Sequence, residues 1–370
     1  MKTLIDNNAS PINVAVVGYG MAGKVFHAPL INGVPGLKLH TIVSSKPTTV
    51  LSDWPEVVVR PTLEDALADP NIHLVVIATS NTSHHPLAKA ALLAGKHVVV
   101  DKPCTVTLAE TEDLLALAQH TGRMLTVFQN RRWDADFLTL KEVLASGQLG
   151  RIVHLESHFD RFRPEVPNRW RDQDLPGSGL WHDLGAHVVD QAVQLFGVPD
   201  DLLVDLACQR DSAVVHDYFH AVLRYVTTYP GLRVVLHAGA LVGRPAHRFA
   251  VHGTKGSFLK SGLDVQEDAL KAGARPQLDN LGNWGQDPRV GVLVLPPAAG
   301  QQGSVAADVP APDVPGNYLQ LYAQVRDHLR GAGPAPVTPA QIHQVMALLE
   351  RGIQSAKQGE FVATADLRNA

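Results

Sequence analysis

An aspartate and a histidine four residues apart are the residues of this sequence whose types and spacing best suit chemistry. Asp183 and His187 lie in the segment 178–190, where glycines precede an apolar run with helical spacing. On a helix, side chains four positions apart lie on the same face. A carboxylate beside an imidazole can transfer a proton, contribute two ligands to a metal site or form a structural hydrogen bond. The local sequence leaves these three interpretations open.

A lysine between an aspartate and a proline is the second candidate. Lys102 follows Asp101 directly after the apolar segment 97–100, which we interpret as a buried strand. Its ammonium group could hold a substrate hydroxyl or carbonyl oxygen and ease proton movement. A surface salt bridge with Asp101 is the structural alternative. Polar residues also follow two other predicted strands, at Thr79, Asn81 and His84 and at Asn130.

Three glycines near the N-terminus indicate a dinucleotide-binding turn. The apolar run 12–17 is followed by G-x-G-x-x-G at Gly18, Gly20 and Gly23, and a helical pattern comes next. In such a turn the first glycine permits the tight bend, the second lets the backbone approach a pyrophosphate, and the third lets the helix pack on the strand. The helix start at Met21 and Ala22 would offer its N–H groups and the positive end of its dipole to the phosphates.

The end of the second predicted strand bears on the choice of cofactor. An NAD-selective protein usually places an acidic residue there, about 20 residues beyond the glycines. Here the strand ends in Ser44, Ser45 and Lys46. Two hydroxyls and a cation suit a 2′-phosphate, so we predict NADP as the cofactor, with NAD as the alternative. Lys46 could instead be a solvated loop lysine.

The elements that must position these residues alternate between strands and helices in the first third of the chain. Strands are predicted at 12–17, 37–43, 57–60, 72–79, 97–100 and 124–128, with helices at 86–94 and 107–120. This alternation predicts a parallel, doubly wound sheet that binds its ligand at the carboxyl ends of the strands. We therefore predict a Rossmann dinucleotide-binding domain over residues 11–130.

In the remainder of the chain the hydrophobic pattern changes from alternating strands and helices to successive strands. Longer strands with few intervening helices are predicted at 151–159, 202–209, 218–226, 232–241 and 248–251. Such strands favour an open, mostly antiparallel sheet in a second domain of α+β type, over residues 131–370. The open face of this sheet could be buried against another subunit, so we predict a homodimer or homotetramer.

The composition excludes several classes of function. The 370 residues are 45% apolar and 18% charged with a net charge of −4, which is typical of a soluble two-domain protein without a nucleic-acid-binding surface. No segment approaches the roughly 20 apolar residues that span a bilayer, and the N-terminus lacks the apolar core of a signal peptide. Cys104 and Cys208 form no disulfide framework. We expect a cytoplasmic protein with a small-molecule substrate and neither nucleic-acid nor membrane partners.

The motifs in combination resemble the Gfo/Idh/MocA oxidoreductase family. Besides the glycine turn, Asp101-Lys102-Pro103 and Asp183-x-x-x-His187, the segments 24–30, 130–134 and 158–164 carry the resemblance. The sequence looks most like the branch that contains NADP-dependent scyllo-inositol dehydrogenases, and the similarity covers residues 14 to about 357.

The resemblance implies hydride transfer between the carbinol of a sugar or polyol and a nicotinamide. Lys102 matches the catalytic lysine of the family, Asp183 its acidic residue and His187 its acid/base histidine. Asn81 and His84 match the loop beside the nicotinamide ribose, and Thr79, Asp101, Lys102 and Asn130 would complete the cofactor-binding edge. Asp101 replaces the usual glutamate of the family and keeps its charge.

Weaker candidates and two rival functions accompany this interpretation. Arg161, Arg163, Trp170 and Trp181 are candidates for the substrate wall, although Trp181 and His182 could equally be packing residues. A metal enzyme would use His158, His182, Asp183 and His187, but no third ligand stands at a metal-like spacing, so we predict no metal. A non-catalytic NADP-binding regulator would not need Lys102, Asp183 and His187 together.

Overall fold

The computed structural model describes residues 11–295 and 307–369. The contacts among these residues group them into two units that alternate along the chain. The first unit contains the described residues up to Asn130 together with Gln266–Trp284 and Tyr318–Met346. The second contains Arg131–Val265 and the described parts of Gly285–Asn317 and Ala347–Ala370. The domain bounds expected from the sequence, 11–130 and 131–370, stay a prediction.

The first unit is built on a parallel sheet of six strands. The strands are β1 Ile12–Val17, β2 Leu37–Val43, β3 Val58–Arg60, β4 Leu74–Ile77, β5 His97–Val100 and β6 Leu125–Val127. Their order is β3-β2-β1-β4-β5-β6, and each adjacent pair is parallel. β1, β4 and β5 are almost wholly buried, because a parallel sheet is covered on both faces. The predicted doubly wound Rossmann sheet is confirmed.

Helices connect these strands. The π-helical turn Ala22–His27 leads into α1 Ala28–Asn32, followed by α2 Pro47–Asp53, α3 Leu63–Leu67, α4 Asn81–Leu93 and α5 Leu108–Thr121. α5 begins with a capping box, in which Thr107 and Glu110 bond each other's backbone N–H groups. The predicted start of α4 at residue 86 is wrong, since this helix begins five residues earlier and takes Pro86 into its interior.

The second unit is built on a larger, mixed sheet. Its described strands are β7 Ile152–His158, β8 Asp201–Ala207, β9 Tyr218–Tyr225, β10 Leu232–Gly239, β11 Phe249–Gly253, β12 Ser257–Lys260, β13 Val292–Leu295, β14 Ala307–Pro310 and β15 Val362–Ala363. The order is β14-β13-β12-β11-β7-β10-β9-β8-β15. The central pair β7–β10 is parallel, and the other described pairs are antiparallel, as predicted for most of this sheet. Along β9 and β10 buried residues alternate with half-buried ones, so one face packs on the core.

The remaining helices follow in chain order. They are α6 Ala135–Ala145, the π-helical turn Trp181–Gly185, α7 Ala186–Phe196, α8 Gln266–Lys271, α9 Leu319–Leu329 and α10 Pro339–Gln358, with 3₁₀ turns at Asn130–Trp133, Trp170–Asp172 and Ala365–Asn369. Thr338 caps the start of α10, because Thr338 and Gln341 bond each other's backbone N–H groups. None of the described helices is long and apolar enough to cross a membrane.

Candidate functional site

The glycine turn after β1 has the geometry that each glycine was predicted to need. Gly18 has φ +94°, a value that favours glycine, and a Cβ there would lie 2.6 Å from the Ala78 carbonyl oxygen. A Cβ at Gly23 would collide with the Gly18 carbonyl oxygen, so the helical turn packs closely on the strand end. A Cβ at Gly20, in contrast, would meet no described atom within 4 Å. This open space beside the backbone fits the approach of a pyrophosphate.

The ends of β2 and β3 supply polar groups for the ribose region. The N–H of Ser44 donates to the Arg60 carbonyl oxygen at 3.0 Å, and the N–H of Lys46 donates to Ser44 Oγ at 3.1 Å. Ser45 and Lys46 are exposed at the carboxyl edge of the sheet. Arg60, the last residue of β3, pairs in register with Val43 and is also exposed. Arg60 could not be recognised as a candidate from the sequence, because only the strand register shows that β3 ends beside the end of β2.

Asp101 is a buried carboxylate held by two sets of contacts. Its Oδ1 accepts a hydrogen bond from the Lys102 N–H at 2.8 Å, and its Oδ2 lies 3.8 Å from Nε2 of the buried His27. His27 Nδ1 in turn lies 2.6 Å from the Tyr322 hydroxyl. Burial alone would raise the pKa of Asp101, but the His27 imidazole and the nearby Lys102 ammonium lower it to about 2. Asp101 thus fixes the backbone at Lys102 while remaining charged.

His84 links the carboxyl ends of β4 and β5. Its Nδ1 lies 2.9 Å from the Pro103 carbonyl oxygen and its Nε2 3.4 Å from the Thr79 carbonyl oxygen. Burial lowers the pKa of His84 and outweighs the opposing charge of Asp101, so the ring is neutral near pH 7. His84 therefore supports the loops around Lys102. The contact of His84 and of the buried Asn81 with a cofactor ribose stays a prediction.

Asp183 and His187 occupy the predicted helix in the second unit. Asp183 lies in the π-helical turn Trp181–Gly185, and His187 is the second residue of α7, where only 4% of it is exposed. The Asp183 side chain is 29% exposed, and its Oδ1 lies 3.7 Å from Nε of Arg171. Short π-helical turns of this kind are frequent at functional sites. Arg171 could not be recognised from the sequence, because it lies in a 3₁₀ turn without any spacing that relates it to Asp183.

Buried polar contacts hold α7 in place. Nε and Nη2 of Arg132 donate to the two oxygens of Asp190 at 2.8 and 2.6 Å. Nε2 of the next helical residue, Gln191, donates to the Arg131 carbonyl oxygen at 2.9 Å. Asp190 lies one turn after His187, so these bonds fix the helix that carries the imidazole. No spacing in the sequence identifies these residues as supports of the helix.

The candidates for a substrate wall differ in their surroundings. The Arg161 guanidinium lies 5.1 Å from the centre of the Phe159 ring, and Arg163 is exposed. Trp170 is half-buried under Arg171. Trp181 is 1% exposed, and its Nε1 donates to the Leu349 carbonyl oxygen at 2.9 Å, which is the packing role considered as the alternative.

Of the four residues that a metal enzyme would use, only His158 belongs to a described cluster of possible metal ligands. Among the described residues, the side chains close enough to share a metal ion are His158, Asp160 and His237. His182 bonds elsewhere, with its Nδ1 3.1 Å from the Ser178 carbonyl oxygen.

The candidate catalytic residues are divided between the two units. Lys102 belongs to the first unit, and Asp183 and His187 belong to the second. Their convergence on one substrate stays a prediction, as do the contacts of Asn130 and of Ser44 to Lys46 with a cofactor.

The sequence matches two parts of one enzyme family. Residues 12–129 match the NAD-binding Rossmann fold of the Gfo/Idh/MocA oxidoreductases, and residues 141–364 match the C-terminal alpha/beta domain of the same family. Together these matches cover well over half of the described chain. The Rossmann sheet and the mixed sheet described above correspond to them.

Similar proteins and structures agree with these matches. The uncharacterized oxidoreductase YdgJ of Escherichia coli K12 is 53% identical over 94% of this chain and 96% of its own length. The scyllo-inositol 2-dehydrogenase (NADP(+)) IolW of Bacillus subtilis is 36% identical over 94% of both chains. The structure of an oxidoreductase from Yersinia pestis, 49% identical, superposes with a TM-score of 0.89 and covers 96% of this chain and 98% of its own. The chain belongs to the Gfo/Idh/MocA family of oxidoreductases and carries its NAD(P)-binding Rossmann domain.

Proposed function

We propose that this oxidoreductase transfers a hydride between the CH–OH group of a sugar or polyol, of inositol-like type, and NADP. The observation that carries the proposal is the similarity to the NADP-dependent scyllo-inositol dehydrogenase of B. subtilis, which extends over 94% of both chains. Three polar side chains suited to the reaction, Lys102, Asp183 and His187, support it.

The preference for NADP rests on the charges at the end of β2. The residues after this strand are Ser44, Ser45 and Lys46, and no carboxylate stands among them to bond a 2′-hydroxyl. Lys46 and the neighbouring Arg60 are exposed cations that suit the charge of a 2′-phosphate. The open space at Gly20 would admit the pyrophosphate of the same cofactor.

Oxidation of a carbinol requires the removal of a hydride from carbon and of a proton from oxygen. The bound nicotinamide supplies the hydride acceptor. His187 takes the hydroxyl proton, a role that contributes about 10²- to 10⁴-fold to rate in general acid–base catalysis. Lys102 holds the reacting oxygen, and its backbone is fixed by Asp101. Asp183 supports the protonated imidazole by its charge, and the same groups act in reverse when a carbonyl is reduced.

The side chains that choose the substrate belong to the segment between β7 and α7. Arg161, Arg163 and Trp170 offer hydrogen-bond donors and an aromatic face, which are the groups that bind polyhydroxylated rings. Arg171 adds a cation beside Asp183. The expected assembly is a homodimer or homotetramer formed through the open face of the second sheet.

A substrate scan tests the proposal. Purified protein is incubated with polyols and aldoses plus NADP⁺ or NAD⁺, and with the matching ketoses plus NADPH, while absorbance at the nicotinamide wavelength is followed. We expect turnover of an inositol-like polyol with NADP⁺, and a loss of at least about 10²-fold in kcat for His187→Ala and Lys102→Ala. The exposed Lys38→Ala serves as the control and should retain full activity.

Two results would contradict the proposal. Unchanged activity in both the Lys102 and His187 variants would remove these residues from the reaction. Tight NADPH binding without turnover of any polyol, aldose or ketose would favour the non-catalytic regulator.

A further inference from the structure

Two histidines and an aspartate lie together on the sheet of the second unit. His158 ends β7, Asp160 follows two residues later, and His237 of β10 is the direct cross-strand partner of His158. Side chains two positions apart in an extended chain, and those of cross-strand partners, point to the same face. The fold therefore brings His237 beside His158 and Asp160, although His237 is 77 residues from Asp160 in sequence.

The spacing of their polar atoms suits a transition metal ion. Nδ1 of His237 lies 2.7 Å from Asp160 Oδ1, and Nδ1 of His158 lies 3.3 Å from Asp160 Oδ2. All three ligand atoms lie within 4.8 Å of one another. In a tetrahedral zinc site, bonds of about 2.0–2.1 Å place neighbouring ligand atoms roughly 3.3 Å apart. Small rotations of the side chains would convert this group into such a site.

The orientation of His158 is the second observation that points to a ligand. Its Nε2 lies 3.0 Å from Oε2 of Glu156, a carboxylate on the same strand. Metal-bound histidines nearly always bond a carboxylate or carbonyl through their second nitrogen, which fixes the ring and its tautomer. Nδ1 of His158 is buried, faces Asp160, and makes no hydrogen bond to any group in the described part of the chain. A metal ion at this position would satisfy that nitrogen.

The charge and chemistry of the group select the kind of ion. Asp160 has a side chain that is only 2% exposed, so its charge needs a positive partner. Its Oδ1 already accepts the Gly239 N–H at 3.2 Å. Two imidazole nitrogens and one carboxylate suit Zn²⁺ and similar divalent transition metals, whereas Mg²⁺ and Ca²⁺ prefer oxygen ligands throughout.

We propose that His158, Asp160 and His237 form a site for one divalent transition metal ion, of the Zn²⁺ class, with a fourth position open to water. The ion would join the central strands β7 and β10. This site does not depend on the proposed hydride transfer. The competing account is a group held only by hydrogen bonds and a shared proton, without metal.

Metal titration of the full chain tests the proposal. The protein is stripped with a chelator and titrated with Zn²⁺ by calorimetry and with Co²⁺ by visible absorption. We expect one ion per chain and a rise in Tm on addition of Zn²⁺. His158→Gln and His237→Gln should each weaken binding at least tenfold and abolish the Tm rise. His252→Gln is the matched control, because His252 lies on the same sheet and bonds Ser257 Oγ.

The outcomes separate the two accounts. Failure of the parent protein to bind Zn²⁺ at one ion per chain would overturn the site, and so would binding that persists at equal affinity in both glutamine variants. If either variant fails to fold, histidine modification of the parent protein decides instead. Protection of His158 and His237, but not His252, from diethyl pyrocarbonate on Zn²⁺ addition supports the site, and equal labelling with and without Zn²⁺ overturns it.

Discussion

The two units hold their candidate residues by different physical means. In the first, the backbone does most of the positioning, through the conformation of Gly18, the close approach at Gly23 and the bond between the Lys102 N–H and Asp101. In the second, buried side chains hold the helix of His187, chiefly the Arg132–Asp190 pair, whose members are 58 positions apart in sequence.

This difference predicts which substitutions each unit should tolerate. A backbone-built site depends on a few residues that are close in sequence and often lack a side chain. The helix of His187 depends instead on buried charged residues that are far apart in sequence. We expect substitutions at the Arg132–Asp190 pair to act on stability, and those at Gly20 and Lys46 to act on cofactor binding.

The largest effect should come from breaking the buried ion pair of the second unit. Arg132→Met leaves the Asp190 carboxylate buried without its bidentate partner, so the free energy of unfolding should fall by about 3–5 kcal/mol. Urea denaturation followed by circular dichroism measures the loss. The double variant Arg132→Met/Asp190→Leu also lacks the unpaired carboxylate, so it should recover part of the lost free energy of unfolding. A loss below about 1 kcal/mol in the single variant would contradict the stabilising role of this ion pair.

Two alanine substitutions in the glycine turn should separate packing from cofactor binding. Gly23→Ala forces a Cβ onto the Gly18 carbonyl oxygen and should cost about 1–3 kcal/mol of stability. Gly20→Ala enters open space, so it should leave stability within about 1 kcal/mol but weaken NADPH binding more than tenfold. Thermal denaturation measures the stability of each variant, and fluorescence titration measures its affinity for NADPH. If the two variants changed stability and NADPH affinity equally, the separate roles of Gly23 in packing and Gly20 in cofactor binding would be contradicted.

The low pKa of Asp101 predicts a loss of stability in acid. A carboxylate whose pKa is about 2 when folded and roughly 3.9 when unfolded contributes its full stabilisation above pH 4, which disappears as the pH falls toward 2. This contribution is about 2–3 kcal/mol. Asp101→Asn should therefore lose less stability than the parent between pH 5 and pH 2.5, as urea titrations at each pH would show. The exposed Asp268→Asn is the control and should follow the parent.

The smallest expected effect concerns the choice of cofactor. Lys46→Ala removes a cation from the end of β2, so the Kd for NADPH should rise about tenfold, or about 1.4 kcal/mol, while the Kd for NADH stays unchanged. The exposed Lys38, at the opposite end of the same strand, provides the control substitution. An equal change for both cofactors would show that Lys46 does not contact a 2′-phosphate.

The sequence predicted the fold of the first unit closely because its signals are local. The bounds of β1, β2 and β5 agree to the residue, since continuous apolar runs and flanking glycines define buried strands. The start of α4 was misplaced because proline usually marks a first helical turn, whereas here Asn81 follows the N-cap Ser80 and Pro86 lies inside.

Long-range contacts of the second unit could not be predicted in the same way. The pairing of Arg132 with Asp190, and of Asp160 with His237, depends on strand register and helix docking, which leave no periodic trace in one sequence. The parallel pairing of β7 with β10 likewise joins strands that are distant along the chain. The sequence supplied candidate site residues, whose roles stay predictions, but it did not reveal the partners that support them.

Hydride transfer itself is the central claim, and isotopic labelling tests it most directly. The protein is incubated with NADP⁺ and scyllo-inositol carrying deuterium on its carbinol carbons, and the NADPH is analysed by mass spectrometry. We predict that the NADPH formed gains one deuterium per turnover and that His187→Ala slows its formation at least about 10²-fold. NADPH that forms without deuterium, or no NADPH from any polyol of the scan, would contradict the proposed function.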